Sequence, residues 1–207
     1  MKTDNFPQPV VTRGYGFLER FLAKKRADMA DNLIPDSHRK GRILDIGCGS
    51  YPLALLHIDF NEKFGLDKVV GEKNPGYFQI KGINIKNLDL EMQESIPFDN
   101  DYFDVVIMLA VFEHIETDRL ETILNEVYRI LKPGGVYIMT TPAIWTDKLL
   151  RIMARLRLVS PVEIEEHKCA YSPSSVNEIL QRTNFKDGNI NFGYFEMFMN
   201  IYTVAIK

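Results

Sequence analysis

The chain runs to 207 residues with 25 basic and 28 acidic side chains, a net charge of −3; this is the length of one domain with a buried core, and it lacks the basic footprint of a protein that binds nucleic acid. Its two cysteines are too few for a disulfide framework, so a reduced, cytoplasmic setting is expected. Residues 1–9 lack the apolar run of a signal peptide, and no stretch reaches the length of a membrane span.

Residues 1–12 are expected to be loose. Residues 15–33 read as an amphipathic helix, with Phe17, Leu18, Phe21, Leu22 and Met29 on one face and Lys24, Lys25, Arg26 and Asp28 toward solvent. Pro35 ends it, and a polar linker with a solvated His38 leads to the first strand. That strand, Arg42-Ile43-Leu44-Asp45-Ile46, runs into the turn Gly47-Cys48-Gly49. Glycines there let the backbone turn sharply and approach a ligand, and Asp45, two residues earlier, suggests a ligand with a cationic group. A dinucleotide fingerprint wants a third glycine at position 52, where this chain has Pro52. The turn therefore suits a nucleoside without a pyrophosphate. Cys48 reads as a small packed side chain within it.

His57 follows on a short packed helix. Phe64-Gly65-Leu66-Asp67 ends a second strand and sets Asp67 about twenty residues past the glycine turn, where doubly wound sheets offer a carboxylate to ribose hydroxyls. Residues 83–88 form a third strand ending in Asp89-Leu90-Glu91, and residues 104–110 an apolar fourth. Residues 117–131 place Leu120, Ile123, Leu124, Val127, Ile130 and Leu131 at i, i+3, i+4, i+7 spacing, a scaffold helix. Lys132-Pro133-Gly134-Gly135 breaks it and leads to a fifth strand over 136–140. Residues 145–159 suggest another helix, with Trp145, Leu149, Ile152, Met153 and Leu156 on one face and Lys148, Arg151 and Arg155 on the next. Those cations suit a substrate phosphate or weak contact with an anionic membrane surface, or simply form a solvated flank. Residues 190–198 and 201–206 read as antiparallel strands around a tight turn near Asn200. Buried strands alternating with helices call for an α/β architecture, a parallel sheet covered on both faces.

Residues 41–141 resemble the core of a class I S-adenosylmethionine-dependent methyltransferase, in the broad small-molecule group that includes ubiquinone, glycolipid and natural-product methyltransferases. The matching stretches are Leu44-Asp45-Ile46-Gly47-Cys48-Gly49, Asp67, Asp89-Leu90-Glu91, Ile96-Pro97-Phe98 with Phe103-Asp104, Glu113-His114, and Leu131-Lys132-Pro133-Gly134-Gly135. Residues 166–185 are a weaker match to the same group. The resemblance implies a doubly wound, Rossmann-like, seven-stranded, mostly parallel sheet closed by a C-terminal antiparallel hairpin. It divides one domain into an N-terminal helical lid (1–40), a cofactor-binding core (41–141), an acceptor-specific insertion (142–175) and a C-terminal helix and hairpin (176–207). The alternative for the first helix is that it only packs on the sheet.

The resemblance also implies S-adenosylmethionine as cofactor and a small-molecule acceptor, such as a sugar, glycolipid or lipid-linked intermediate. Asp45 would hold the methionyl amino group, and Gly47, Cys48 and Gly49 would let the backbone pass. Asp67 with Lys68 would serve the ribose, Asp89 and the Leu90 amide the adenine edge, and Leu109 and Ala110 would offer carbonyls beneath the methionyl moiety. The plainer reading of each aspartate is a helix cap or turn residue, and Glu91 competes with Asp89. His114 and His167 are candidate general bases, or else residues that only shape their loops. Tyr15, Glu113 and Trp145 are candidates for the acceptor side. Some relatives bind a divalent ion through Glu-x-x-Glu-His; Ala110 stands at the first glutamate here, so no metal is expected. Two other readings compete: a non-catalytic cofactor-binding subunit supporting a partner enzyme, and a nicotinamide-dependent oxidoreductase, which Pro52 opposes. Nothing in the sequence fixes an oligomeric state.

Overall fold

Five strands lie side by side in parallel in a computed structural model that describes residues 18–68, 82–165, 168–185 and 189–207. The elements are α1 (Glu19–Leu33), β1 (Arg42–Ile46), α2 (Leu53–His57), β2 (Glu62–Asp67), β3 (Ile83–Asn87), β4 (Phe103–Leu109) and α3 (Thr117–Ile130). After them come β5 (Leu131–Pro142), α4 (Asp147–Arg155), α5 (Pro161–Glu165), α6 (Pro173–Gln181), β6 (Ile190–Phe195) and β7 (Asn200–Ile206). The expected loose segment 1–12, Tyr15 and His167 lie outside the described residues. No helix among the described residues is long and apolar enough to cross a membrane.

The seven strands order as β3-β2-β1-β4-β5-β7-β6, with β7 antiparallel to both β5 and β6. This is the doubly wound sheet closed by a hairpin that the sequence led us to expect. Alternation along the central strands sorts their side chains into two cores. Leu44, Ile46, Val106, Met108, Tyr137 and Met139 face α3 and α6, where Leu120, Leu124, Val127, Val176 and Leu180 are buried. Ile43, Val105, Ile107 and Ile138 face Ala27, Ala30, Leu55 and Ile58 of α1 and α2. Full burial of each such aliphatic side chain contributes roughly 1.5–3 kcal/mol. Consecutive strands β1 and β2 wind one way and β4 and β5 the other, so a crevice opens at the carboxyl ends of β1 and β4.

Several local expectations need correction. In α1 the buried positions are Glu19, Ala27 and Ala30, while Phe21 is 57% exposed. Alanines let the helix approach α2 and the sheet more closely than phenylalanine could, so size outranks hydrophobicity there. Asp28 is not simply solvated, because it pairs with Lys24 at 3.1 Å and with His57 Nε2 at 2.7 Å. His38 sets Nε2 within 3.0 Å of the Gly134 carbonyl, tying the linker to β5. The fifth strand begins at Leu131, directly after α3. Its Lys132–Gly135 stretch is absorbed by a bulge opposite Phe103 and Val105, with Gly134 at φ +77°. The helix expected over 145–159 is shorter, with a single turn at Ile144–Thr146 before α4. β6 ends at Phe195 because Glu196, Met197 and Phe198 all take left-handed φ values.

Candidate functional site

The crevice is a cleft walled by the Gly47–Gly49 turn, the ends of β2 and β4, the segment Leu88–Glu91, the start of α2, and Ala23 and Arg26 of α1. The turn after β1 is sewn to β2. Gly47 and Cys48 donate their N–H groups to the Leu66 carbonyl at 2.7 and 3.2 Å, and Gly49 donates to Asp67 Oδ2 at 2.9 Å. Gly47 and Gly49 have φ values of +76° and +72°, which other residues rarely adopt. A Cβ on Gly47 would also lie 2.2 Å from Val111 Cγ2. Cys48 is buried in the turn, and Gly65 of β2 leaves the room its sulfur fills.

Two carboxylates meet here, Asp45 at 4% exposure and Asp67 at 3%. Burial and, after it, the like charge of Asp67 push the Asp45 carboxyl well above the usual carboxylate range. Such a group is poised to ionise when a cation arrives. Asp89 lines the cleft and also acts as a turn cap, its Oδ1 accepting the Glu91 N–H at 3.1 Å. Lys68, Leu90, Leu109, Ala110 and His114 complete the walls. Ala110, at the end of β4, has φ +54°, and its N–H donates to the Thr140 carbonyl at 2.9 Å. A non-glycine residue held left-handed at a cleft wall is the kind of local strain that functional sites retain.

Glu113, expected on the acceptor side, is 2% exposed and lies behind the wall. Its Oε2 accepts the Thr141 hydroxyl at 3.0 Å, and its backbone carbonyl accepts the Lys168 N–H at 2.9 Å. Trp145 also lies away from the cleft walls, half-exposed, its Nε1–H donating to the Phe198 carbonyl at 3.1 Å. Among the described residues no group of His, Cys, Asp and Glu is arranged to hold a metal ion.

Ala23 and Arg26 of α1 also line the cleft, and no sequence motif marks either of them. Lys168 Nζ reaches Glu91 Oε1 at 2.8 Å and Glu116 Oε1 at 3.0 Å, latching the segment after α5 to the cleft's edge. Burial raises the Glu91 carboxyl, but the Lys168 hydrogen bond and the Glu116 N–H outweigh it and hold the carboxyl below its ordinary value. No local signal links residues so far apart in the chain.

A family model described as a methyltransferase domain matches residues 16–188. A ubiquinone biosynthesis O-methyltransferase of Rickettsia bellii is 34% identical over 151 residues, covering 70% of this chain and 61% of that protein. A ubiquinone/menaquinone biosynthesis C-methyltransferase of Geobacter sulfurreducens is 28% identical over 170 residues, again covering 70% of this chain and 61% of the relative. The chain thus spans less than two thirds of the length of either curated relative. A solved S-adenosylmethionine-dependent methyltransferase from Archaeoglobus fulgidus has a TM-score of 0.60 at 18% identity, covering 91% of this chain and 99% of that one, a likeness of fold. The chain belongs to the methyltransferase-domain family of class I S-adenosylmethionine-dependent methyltransferases, which takes in the ubiquinone-type group, and S-adenosylmethionine is its cofactor.

Proposed function

We propose that the cleft holds S-adenosylmethionine and that the protein directs methyl transfer to a small-molecule acceptor, of the sugar, glycolipid or lipid-linked class. One observation carries the reading: Asp45, buried near the end of β1 and pushed toward its neutral form, faces a cleft floored by a turn in which Gly47 has no room for a Cβ. When bound, the cofactor supplies a methyl on a sulfonium sulfur, already activated toward a nucleophile. Asp45 would hold the methionyl ammonium, giving up its proton as the two charges meet. Asp67 would take ribose hydroxyls while its Oδ2 keeps the glycine turn closed through Gly49. Asp89 and the Leu90 amide would meet the adenine edge, Lys68 would flank the ribose, and the Leu109 and Ala110 carbonyls would lie under the methionyl chain. His114, on the cleft wall, would accept a proton from a hydroxyl or amine acceptor. Glu113, with Oε2 engaged by Thr141, would position the turn that carries His114.

Orienting donor and acceptor supplies roughly 7–11 kcal/mol in well-aligned reactions, so few catalytic side chains are required. The test is calorimetric titration of the purified protein with S-adenosylmethionine, S-adenosylhomocysteine and NAD. Binding of the first two without NAD is the expected result. Failure of both sulfur nucleosides to bind would overturn the cofactor assignment.

A further inference from the structure

The face that α4 turns outward is apolar. Ile144 and Trp145 in the preceding turn, with Leu149, Ile152 and Leu156 along and just past the helix, are 37–65% exposed. Residues 145, 149, 152 and 156 follow helical spacing, so they form one stripe. The helix is already anchored by its other side, where Leu150, Met153 and Ala154 pack with Val159, Ile164 and Leu22 of α1. The outward stripe is therefore surplus to folding.

The stripe continues onto the turn between β6 and β7. Trp145 donates to the Phe198 carbonyl, and the rings of Tyr194 and Phe198 lie 5.7 Å apart. Glu196, Met197 and Phe198 have φ values of +50°, +56° and +66°, three successive non-glycine residues in the left-handed region. A Cβ makes that region costly for each of them. The strained turn nevertheless projects Met197 at 86% exposure and Phe198 at 67%.

Arginines edge this apolar surface. Arg151, Arg155 and Arg157 line a groove along α4 and α5, with Glu165 as its carboxylate, and Arg151 is paired with Asp147 at 2.8 Å. Arg151 and Arg155 sit one helical turn apart, on the flank next to the stripe. An apolar stripe beside arginines matches the boundary between acyl chains and anionic headgroups. A second copy of the chain would fit less well, since a twofold contact would crowd a second set of the same arginines around the same rim. The surface lies at the same edge of the sheet as the cleft, because α4 follows the carboxyl end of β5 and the β6–β7 turn sits beside that end, where Pro142 pairs with Asn200.

We propose that α4 and the β6–β7 turn dock on an anionic lipid surface, laying the mouth of the cleft against the bilayer. The inference does not rest on methyl transfer, and its test reads lipid contact alone. Trp145 is the chain's single tryptophan and sits in the stripe, so intrinsic fluorescence reports the contact directly. Phosphatidylcholine vesicles containing phosphatidylglycerol should shift its emission to the blue and float the protein; phosphatidylcholine alone should do neither. Added salt should reverse the binding. Replacing both Arg151 and Arg155 by glutamine should weaken it roughly thirty-fold, at about 1 kcal/mol per arginine. Leu149→Glu with Ile152→Glu should abolish it while leaving S-adenosylhomocysteine binding and the thermal melt unchanged. Absence of shift and flotation with the anionic vesicles would overturn the proposal. So would equal binding to both vesicle types, or a lipid-free blue shift that grows with protein concentration, the mark of a second copy on this face.

Discussion

Asp67 holds the glycine turn from the neighbouring strand, its Oδ2 accepting the Gly49 N–H at 2.9 Å. One carboxylate thus shapes the turn and stands in the cleft. Asp67→Ala should weaken S-adenosylhomocysteine binding roughly 10- to 100-fold, the loss expected for hydrogen bonds to a charged group, and should lower the melting temperature as well. Asp67→Asn keeps an acceptor for Gly49, so it should restore the melting temperature and leave binding impaired. Unchanged affinity in both variants, by calorimetry, would remove Asp67 from the cofactor assignment.

Asp45 gives the apo protein a pH dependence of definite sign. Burial, then the charge of Asp67, raises its carboxyl above the unfolded value. Its contribution to stability is fully present below the unfolded pKa and is lost as pH rises through the folded one. Asp45→Asn should therefore raise the melting temperature of the apo protein near neutral pH, although it removes the proposed partner of the cofactor's ammonium. Wild-type binding should strengthen with rising pH and release a proton, read as a calorimetric heat that depends on the buffer's ionisation enthalpy. In Asp45→Asn that buffer dependence should vanish.

Gly47 is constrained twice, by its φ of +76° and by Val111, whose Cγ2 would lie 2.2 Å from a Cβ. Gly47→Ala should cost about 1–2 kcal/mol from the left-handed backbone alone, plus whatever displacing the stiff valine requires. Adding Val111→Ala should relieve the clash and leave the backbone cost. A double variant no more stable in chemical denaturation than Gly47→Ala would show that the valine clash adds little to the backbone strain.

The Lys168–Glu91 latch is partly solvated, with side chains 32% and 24% exposed. Lys168→Met should change global stability by at most about 1 kcal/mol. Its effect should show instead as faster release of S-adenosylhomocysteine in stopped-flow measurements. Because the Glu91 carboxyl is held low, the latch should persist down through the ordinary carboxylate range and weaken only as pH falls through the lowered value. A release rate equal to wild type would separate the latch from the cleft.

The strands were legible because the central ones are buried on both faces, and unbroken runs such as Val105–Met108 leave little doubt about element or period. Asp45 and Asp67 could be brought to one place from sequence because Asp67 ends β2 and Asp45 stands one residue before the end of β1, and the register sets Asp45 opposite Gly65 and Ile46 opposite Leu66. The inner face of α1 was not legible, because hydrophobicity ranks Phe21 above Ala27 whereas the sheet selects by size. Nor was the outward stripe of α4, since periodicity finds an apolar face without saying which of two faces a neighbour covers. Lys168 reaches Glu91 only through the packing of the whole domain.

The hairpin that closes the sheet has a practical consequence. Because β7 runs antiparallel to β5, Ile206 pairs with Val136, and Lys207 exchanges backbone hydrogen bonds with Gly134 and Gly135. Lys207 is pinned further by Asp101 at 2.7 Å. Lys207 therefore lies at the edge of the sheet opposite the cleft and the α4 surface. A fluorophore or a surface attachment made at Lys207 would hold the molecule by its back, with the cleft and the α4 surface turned to solution.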